Sequence, residues 1–487
     1  VAIIPDVKRK NGDGCDMKQA KTATLELSYE QLFVWLRKSF EENDAGYFYA
    51  VKKNGKAAYL RHCRKHRAKA AKAANLTEAI GVYRDWLKFF RKSHIGIYEP
   101  NKHVSPNIQP AVDVDNWETL SCDIEELKER CSKQTEASFE GIWYSDPYTI
   151  AIVRRGEEYL GSIISAPGTP WKEGQIKLRL LPTGNGAYKA ICYLRDYSIY
   201  EQNEAILAGN NHIYLGFMYY ERLYSSLPSD PQVTLYLELM ETRKPLCRVL
   251  SADTVLLRIP SFASELKEEV DNLLLEHKDI LSGTRNLIID VRNNGGGSTE
   301  TFSGILPYLY TNPTYYVGWV FRSSKLNIKK FKEWGMFDAE DDTPKAKKDA
   351  RALLHKAKDC IGEFVLFDGD DLSVNKQPNI MEYPQQVAVI MNKRCASATE
   401  NLLLTAKQSK KTKLYGTSSC GSFDISNMNS VVSPCKRIEL RYAMTITKGF
   451  PEGKIDDIGI MPDFNLQQRG PEYKWIGYVR SILDTNI

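Results

Sequence analysis

The chain lacks the spacing patterns of the common metal and nucleotide sites. None of its ten cysteines forms a CxxC pair, and no zinc-like spacing is present. Its glycine-rich stretches contain neither the GxGxxG of a dinucleotide fold nor the Gly-Lys-Ser/Thr ending of a phosphate loop. No metal, nucleotide or other cofactor is therefore expected. No apolar run reaches the roughly 18 residues that a membrane span needs, so none is expected. An excess of one charge is missing too. The formal net charge is +5 over 487 residues. The one dense basic stretch, Arg61 to Lys69, has no interleaved aromatic residues of the kind a single-strand groove uses. It reads as an exposed helical face, with His62 and His66 in solvent, and nucleic acid is not expected as a partner. No signal segment is visible in a sequence that starts at Val1, which by itself says little about compartment. Histidine is scarce, at seven residues, and this narrows any search for a catalytic base.

What is present is enough apolar material for large cores. Hydrophobic residues make up 43% and charged residues 26%, which argues for two or three folded domains. Residues 1 to about 20 are polar and read as a loose end. From Ser28 to Phe90 apolar residues recur at helical spacing, as in Tyr29, Leu32, Phe33, Leu36 and Phe40. Asn75 is a plausible cap for the last of these helices. Asn101–Asn116 reads as a linker, and Ile124 to Lys133 as a short helix. Residues 1–117 are expected as an N-terminal helical subdomain. Residues 118–245 carry short alternating runs separated by turns, the last being Val233–Leu237. They are expected as a central antiparallel β-domain, a barrel or a sandwich, with Trp143, Tyr144, Trp171 and Tyr193 in its core. Residues 246–487 are expected as an α/β core with strands at Thr254–Ile259, Asn286–Val291 and Gln386–Met391. The charged stretch 320–380 reads as an irregular insertion, and Tyr473–Leu483 as a final helix. The fold class is thus multidomain α+β.

Chemistry concentrates in three places. Ser397 lies where the strand Gln386–Met391 gives way to a helical run beginning near Thr399. A serine at such a junction is either a nucleophile lifted clear of the sheet or a small cap residue. The loop Arg292-Asn293-Asn294-Gly295-Gly296-Gly297 follows another buried strand. Its glycines can aim amides at one point, as an oxyanion requires, or simply turn the chain. Asp290 and Arg292 read as a structural ion pair. Late in the chain, Asp456 sits between apolar residues and could orient an imidazole or belong to an ordinary turn. Among the histidines, His103, His212, His277 and His355 lie in polar or loop-like contexts. His94 differs, at the edge of an amphipathic helix next to Ile95-Gly96-Ile97. It is either structural or the base.

Together these motifs resemble peptidase family S41, the C-terminal processing and tricorn-type serine proteases. The family's Asp-Leu-Arg-x-Asn-x-Gly-Gly element is matched by Asp290–Gly297. Its Ser-Ala-Ser-Ala-x-Glu element is matched by Cys395–Glu400, with Cys395 at the first serine. Its Glu-x-x-Gly-Val-x-Pro-Asp element is matched by Asp456–Asp463. The resemblance spans about 250 to 465 and implies a core of the ClpP/crotonase-like type. One branch uses a Ser-Lys dyad, but Ser422 stands where that lysine would be, and Lys413 lies on the wrong side of the loop. The Ser-His branch, similar to the tricorn core, fits Ser93-His94. The resemblance then implies a serine endopeptidase of the tail-specific kind, acting on protein or peptide substrates. Ser397 is its nucleophile, His94 its base, and Asp456, one methylene shorter than the family's Glu, fixes the imidazole together with Ser93. Gly296 and Ala398 supply the oxyanion amides. No PDZ carboxylate-binding loop is evident in the β-domain. An exported bacterial location, periplasmic or extracellular, is implied as well, and self-association is allowed for. Two other readings stand beside it: an inactive ligand-binding relative, and an envelope protein that binds peptide or glycan.

Overall fold

Capping and apolar spacing set up the N-terminal helices. Ser28 and Gln31 exchange hydrogen bonds at the start of helix Tyr29–Asn43, Ser28 N–H to Gln31 Oε1 at 2.8 Å and Gln31 N–H to Ser28 Oγ at 3.2 Å. Leu32, Phe33, Leu36 and Phe40 turn inward from it. Asn75 caps helix Leu76–Leu87 by accepting from Glu78 N–H. The basic stretch forms helix Lys56–Ala70. His66 is not in solvent there. It shares a buried stripe with Tyr59, Cys63 and Ala70, and the arginines and lysines take the other faces. The computed structural model describes residues 26–100, 114–184, 186–216, 218–339, 341–366 and 372–485. The polar end over 1–20, most of the linker over 101–116, and His103 lie outside the described residues.

The helices share one hydrophobic core with Phe321, Phe331, Tyr442 and Met444. This overturns the reading of 320–380 as irregular. Strands Trp319–Arg322 and Phe364–Leu366 join Gly96–Tyr98, Ile425–Val432 and Glu439–Thr447 in a five-stranded antiparallel sheet. Helices Lys325–Glu333 and Pro344–Asp359 lie between them in sequence. Their apolar stripes are narrow. Ile328 and Phe331 in the first and Ala357 in the second are buried among many lysines, and that charge hides the periodicity.

A second sheet runs in the order Leu246–Val249, Thr254–Arg258, Asn286–Asp290, Gln386–Met391, Thr412–Gly416, Phe464–Asn465. All neighbours pair in parallel except the first. Strand Asn286–Asp290 is buried along its whole length, which explains its unbroken apolar run. Helices Lys267–Glu276 and Ala398–Lys407 supply Val270, Leu402 and Leu403 to its core. The final helix is Trp475–Thr485.

Two compact units divide the chain. One holds the described residues of Val1–Asn101, Thr242–Gly470 and Trp475–Ile487; the other holds those of Lys102–Glu241 with Pro471–Lys474. The second unit is built on one nine-stranded antiparallel sheet whose end strands are Ile199–Gln202 and Ile206–Ala208. Trp143 and Trp171 pack in its core, Tyr193 packs against it, and Tyr144 is exposed. Val233–Leu237, expected as a strand, belongs to helix Pro231–Glu241. Asp230 accepts from Gln232 N–H ahead of it, proline opens it, and Val233, Tyr236 and Leu239 are buried at a spacing of three. None of the nine described cysteines forms a disulfide. No helix among the described residues is long and apolar enough to cross a membrane.

Candidate active site

Ser397 sits at the turn between strand Gln386–Met391 and helix Ala398–Lys407, with φ 57° and ψ −120°. A non-glycine residue holds such a conformation only where its surroundings impose it, at a cost of about 1–3 kcal/mol. Those surroundings are specific. Ser397 N–H donates to Ser422 O and to Glu400 Oε2, each at 3.0 Å. Ala396 N–H donates to Asn294 O. Gly296 is pressed so closely against the turn that a Cβ there would lie 2.6 Å from Ala396 O and 2.8 Å from Ser397 Cβ. Cys395, at the family's serine position, donates its thiol hydrogen to Val291 O and packs in the core.

Glu400 organises the neighbouring loop. Its fully buried carboxylate accepts from Ser419 Oγ at 2.5 Å, Gly421 N–H at 2.8 Å, Ser422 N–H at 2.9 Å and Ser397 N–H. Burial pushes its pKa up, against the pull of those donors. The family motif contains this glutamate, yet its role as a strut depends on residues 19 to 22 positions away and cannot be read from the motif.

His94 also has a positive φ, 54°. Its Nδ1 lies 2.6 Å from Ile425 O. A carbonyl only accepts, so Nδ1 carries the hydrogen and Nε2 keeps its lone pair. Nε2 lies 3.3 Å from Ser422 Oγ. No hydrogen bond joins His94 to Ser397. Ser422, whose carbonyl holds Ser397 N–H, stands at the imidazole instead. Desolvation lowers the pKa of His94, and Arg91 lowers it further against the Ile425 carbonyl.

Asp456 makes no hydrogen bond to the imidazole. Its carboxylate accepts from Phe423 N–H at 2.6 Å, Asp424 N–H at 2.7 Å and Ile425 N–H at 3.1 Å. Asp424 Oδ2 returns the bond, accepting from Ile455 N–H at 2.7 Å and Asp456 N–H at 2.8 Å. The two buried aspartates thus clamp the segment whose Ile425 carbonyl faces His94. Burial raises the pKa of both. Ser93 offers only its carbonyl, which accepts from Arg91 Nε at 3.0 Å. Arg91 also donates to His94 O at 2.9 Å and pairs with the buried carboxylate of Asp44. The expected roles of Asp456 and Ser93 at the ring are therefore filled by Ile425 O on one side and by the Arg91–Asp44 pair behind the loop. Asp44 and Asp424 carry no sequence signal for this, since their partners come together only through the fold.

The amide expected at the oxyanion position, that of Gly296, is already engaged. It donates to Asn294 Oδ1 at 2.9 Å, and the residue is buried. The next glycine, Gly297, is exposed and lines a cleft of about 170 Å³ together with Ser397 and Ala398. Behind this loop Asp290 and Arg292 form the expected buried pair, at 2.7 Å, and Arg258 joins them. Burial alone would raise Asp290; the two guanidiniums outweigh it and lower its pKa. No group of three or more His, Cys, Asp or Glu side chains among the described residues is placed to hold a metal ion.

Residues 253–466, which contain the parallel strands from Thr254 to Asn465, match the model of peptidase family S41. No curated protein matches the chain by sequence. Among solved structures, mature CPAF complexed with lactacystin is similar at a TM-score of 0.52 with 13% identity, covering 94% of this chain and 97% of that one. A second structure of mature CPAF gives 0.52 with 12% identity, covering 94% and 96%. At such identities the likeness is one of fold.

Proposed function

We propose that the protein is a serine endopeptidase of the Ser-His branch, cleaving peptide bonds of protein or peptide substrates through an acyl-enzyme. One observation carries this reading. The family's nucleophile position, Ser397, is held in a strained turn that lines a cleft, and Ser422, which accepts from its N–H, also meets the Nε2 of His94. Ser397 Oγ attacks the substrate carbonyl and its proton passes to His94 Nε2. Bonds of this kind are often long in unliganded sites and tighten when substrate arrives. Ile425 O holds Nδ1–H and stabilises the imidazolium that forms. Asp456 and Asp424 act one step back, by fixing that carbonyl. Gly297 and Ala398 amides receive the oxyanion, each worth about 3 kcal/mol in comparable sites. His94 then gives its proton to the leaving amine, and water, deprotonated by the same ring, releases the acyl group. Replacement of Ser397 or His94 by alanine is expected to abolish hydrolysis of an unfolded protein substrate. Full activity in either variant rejects the reading.

A second reading rests on the hydrogen bond from Ser422 to His94, which parks the base away from Ser397. In that case the cleft binds peptide without cutting it. Peptide binding by a protein that never hydrolyses and never acylates would decide for it.

A further inference from the structure

The cleft beside Ser397 has walls that the catalytic chemistry leaves unused. Many of them come from the region between residues 314 and 373, outside the three family motifs. Trp319, Phe331, Trp334 and Met336 form its apolar side. Trp319 and Phe331 stack at 5.9 Å and 15°, and Trp334 meets Phe331 edge-on at 5.6 Å. Phe331 is anchored in the core, and the other three stay partly open to the cleft. The polar residues that line it, Ser373 and Asn401 among them, are neutral. None of the described residues that line the cleft is charged. About 170 Å³ is well below the roughly 300–1,000 Å³ of sites for drug-sized ligands, and suits a single large side chain.

Charged side chains entering this space would lose water without gaining a counter-charge, whereas aromatic and long aliphatic ones would gain the ring contacts. Ser397, Gly297 and Ala398 line the same cleft, so a residue whose carbonyl is held at Ser397 has its side chain within reach of the rings. We propose that this cleft is the primary specificity pocket, and that it selects a bulky uncharged side chain, Phe, Tyr, Leu or Met, immediately before the scissile bond. This rests on the reading of Ser397 as nucleophile.

The test uses the full-length protein on a library of peptides from a digested, denatured proteome, with new termini read by mass spectrometry. A parallel sample is treated with a small fluorophosphonate that carries no peptide. The four bulky residues together should be enriched about tenfold or more over Asp, Glu, Lys and Arg before the cut. Ser373→Lys should shift the preference toward Asp and Glu by a similar factor, with thermal unfolding showing that the variant is folded. Labelling of Ser397 without this enrichment, or without any cuts, overturns the pocket and leaves the nucleophile standing. Absence of both labelling and cuts overturns the nucleophile, and the pocket with it.

Discussion

Ser397 and Ser422 are the residues whose roles most need separating, because His94 Nε2 meets the second and the mechanism requires the first. If Ser422 is only the resting partner of the ring, Ser422→Ala keeps activity within about tenfold of the parent, whereas Ser397→Ala falls by about 10⁴ or more. Equal losses in steady-state hydrolysis would make Ser422 part of the proton path. The pH dependence follows from burial. His94 must be neutral to act, and its pKa lies below the ordinary 6.5. The acid limb of kcat/KM is therefore expected to have its midpoint below 6.5. The linked stability has the matching sign. Between the lowered folded value and 6.5 the unfolded chain binds a proton that the folded one does not, so this group's contribution is present above 6.5 and is lost as pH falls through that window. An acid limb centred above 6.5 would contradict the placement of His94.

The two loops that meet at Ser397 differ in how far the sequence reveals them. Buried strands before each loop and the apolar helix after Ser397 are visible in residue type and run length, because continuous β-branched stretches have few other uses. Glu400 as a four-donor acceptor, the Asp424–Asp456 clamp and the carbonyl behind His94 are not visible, since each depends on segments brought together by the sheets. Gly296 lies between these cases. Its glycine signals a special conformation, but the partner of its amide, Asn294, emerges only in three dimensions. Gly296→Ala should abolish hydrolysis, because its φ of 97° and the 2.6 Å approach to Ala396 O leave no room for a Cβ. Gly295→Ala should be tolerated, as nothing lies within 4 Å of a Cβ there. Parallel assays of the two variants, with thermal unfolding as a control, check this. A harmless Gly296→Ala would show that the packing of the two loops does not hold Ser397.

At the scale of the molecule, His94 and Ser397 are far apart in sequence yet belong to one compact unit. The other unit, built around the nine-stranded sheet, contributes none of the residues named at the site. Replacing residues 102–241 by a short linker should therefore leave hydrolysis of short peptides measurable while weakening that of long substrates. Complete loss of both in a folded variant would place an essential element in the β-unit. The narrow amphipathic stripes of 325–359 illustrate why length and charge mislead at this scale: a lysine-rich segment can still supply the wall of a cleft. The most direct test of the whole account is to locate the adduct of a serine-reactive phosphonate by peptide mass spectrometry. A single adduct on Ser397, absent in Ser397→Ala and formed much more slowly in His94→Ala, is the predicted result. No adduct, or one carried by Ser422, would contradict the assignment of Ser397 as the nucleophile.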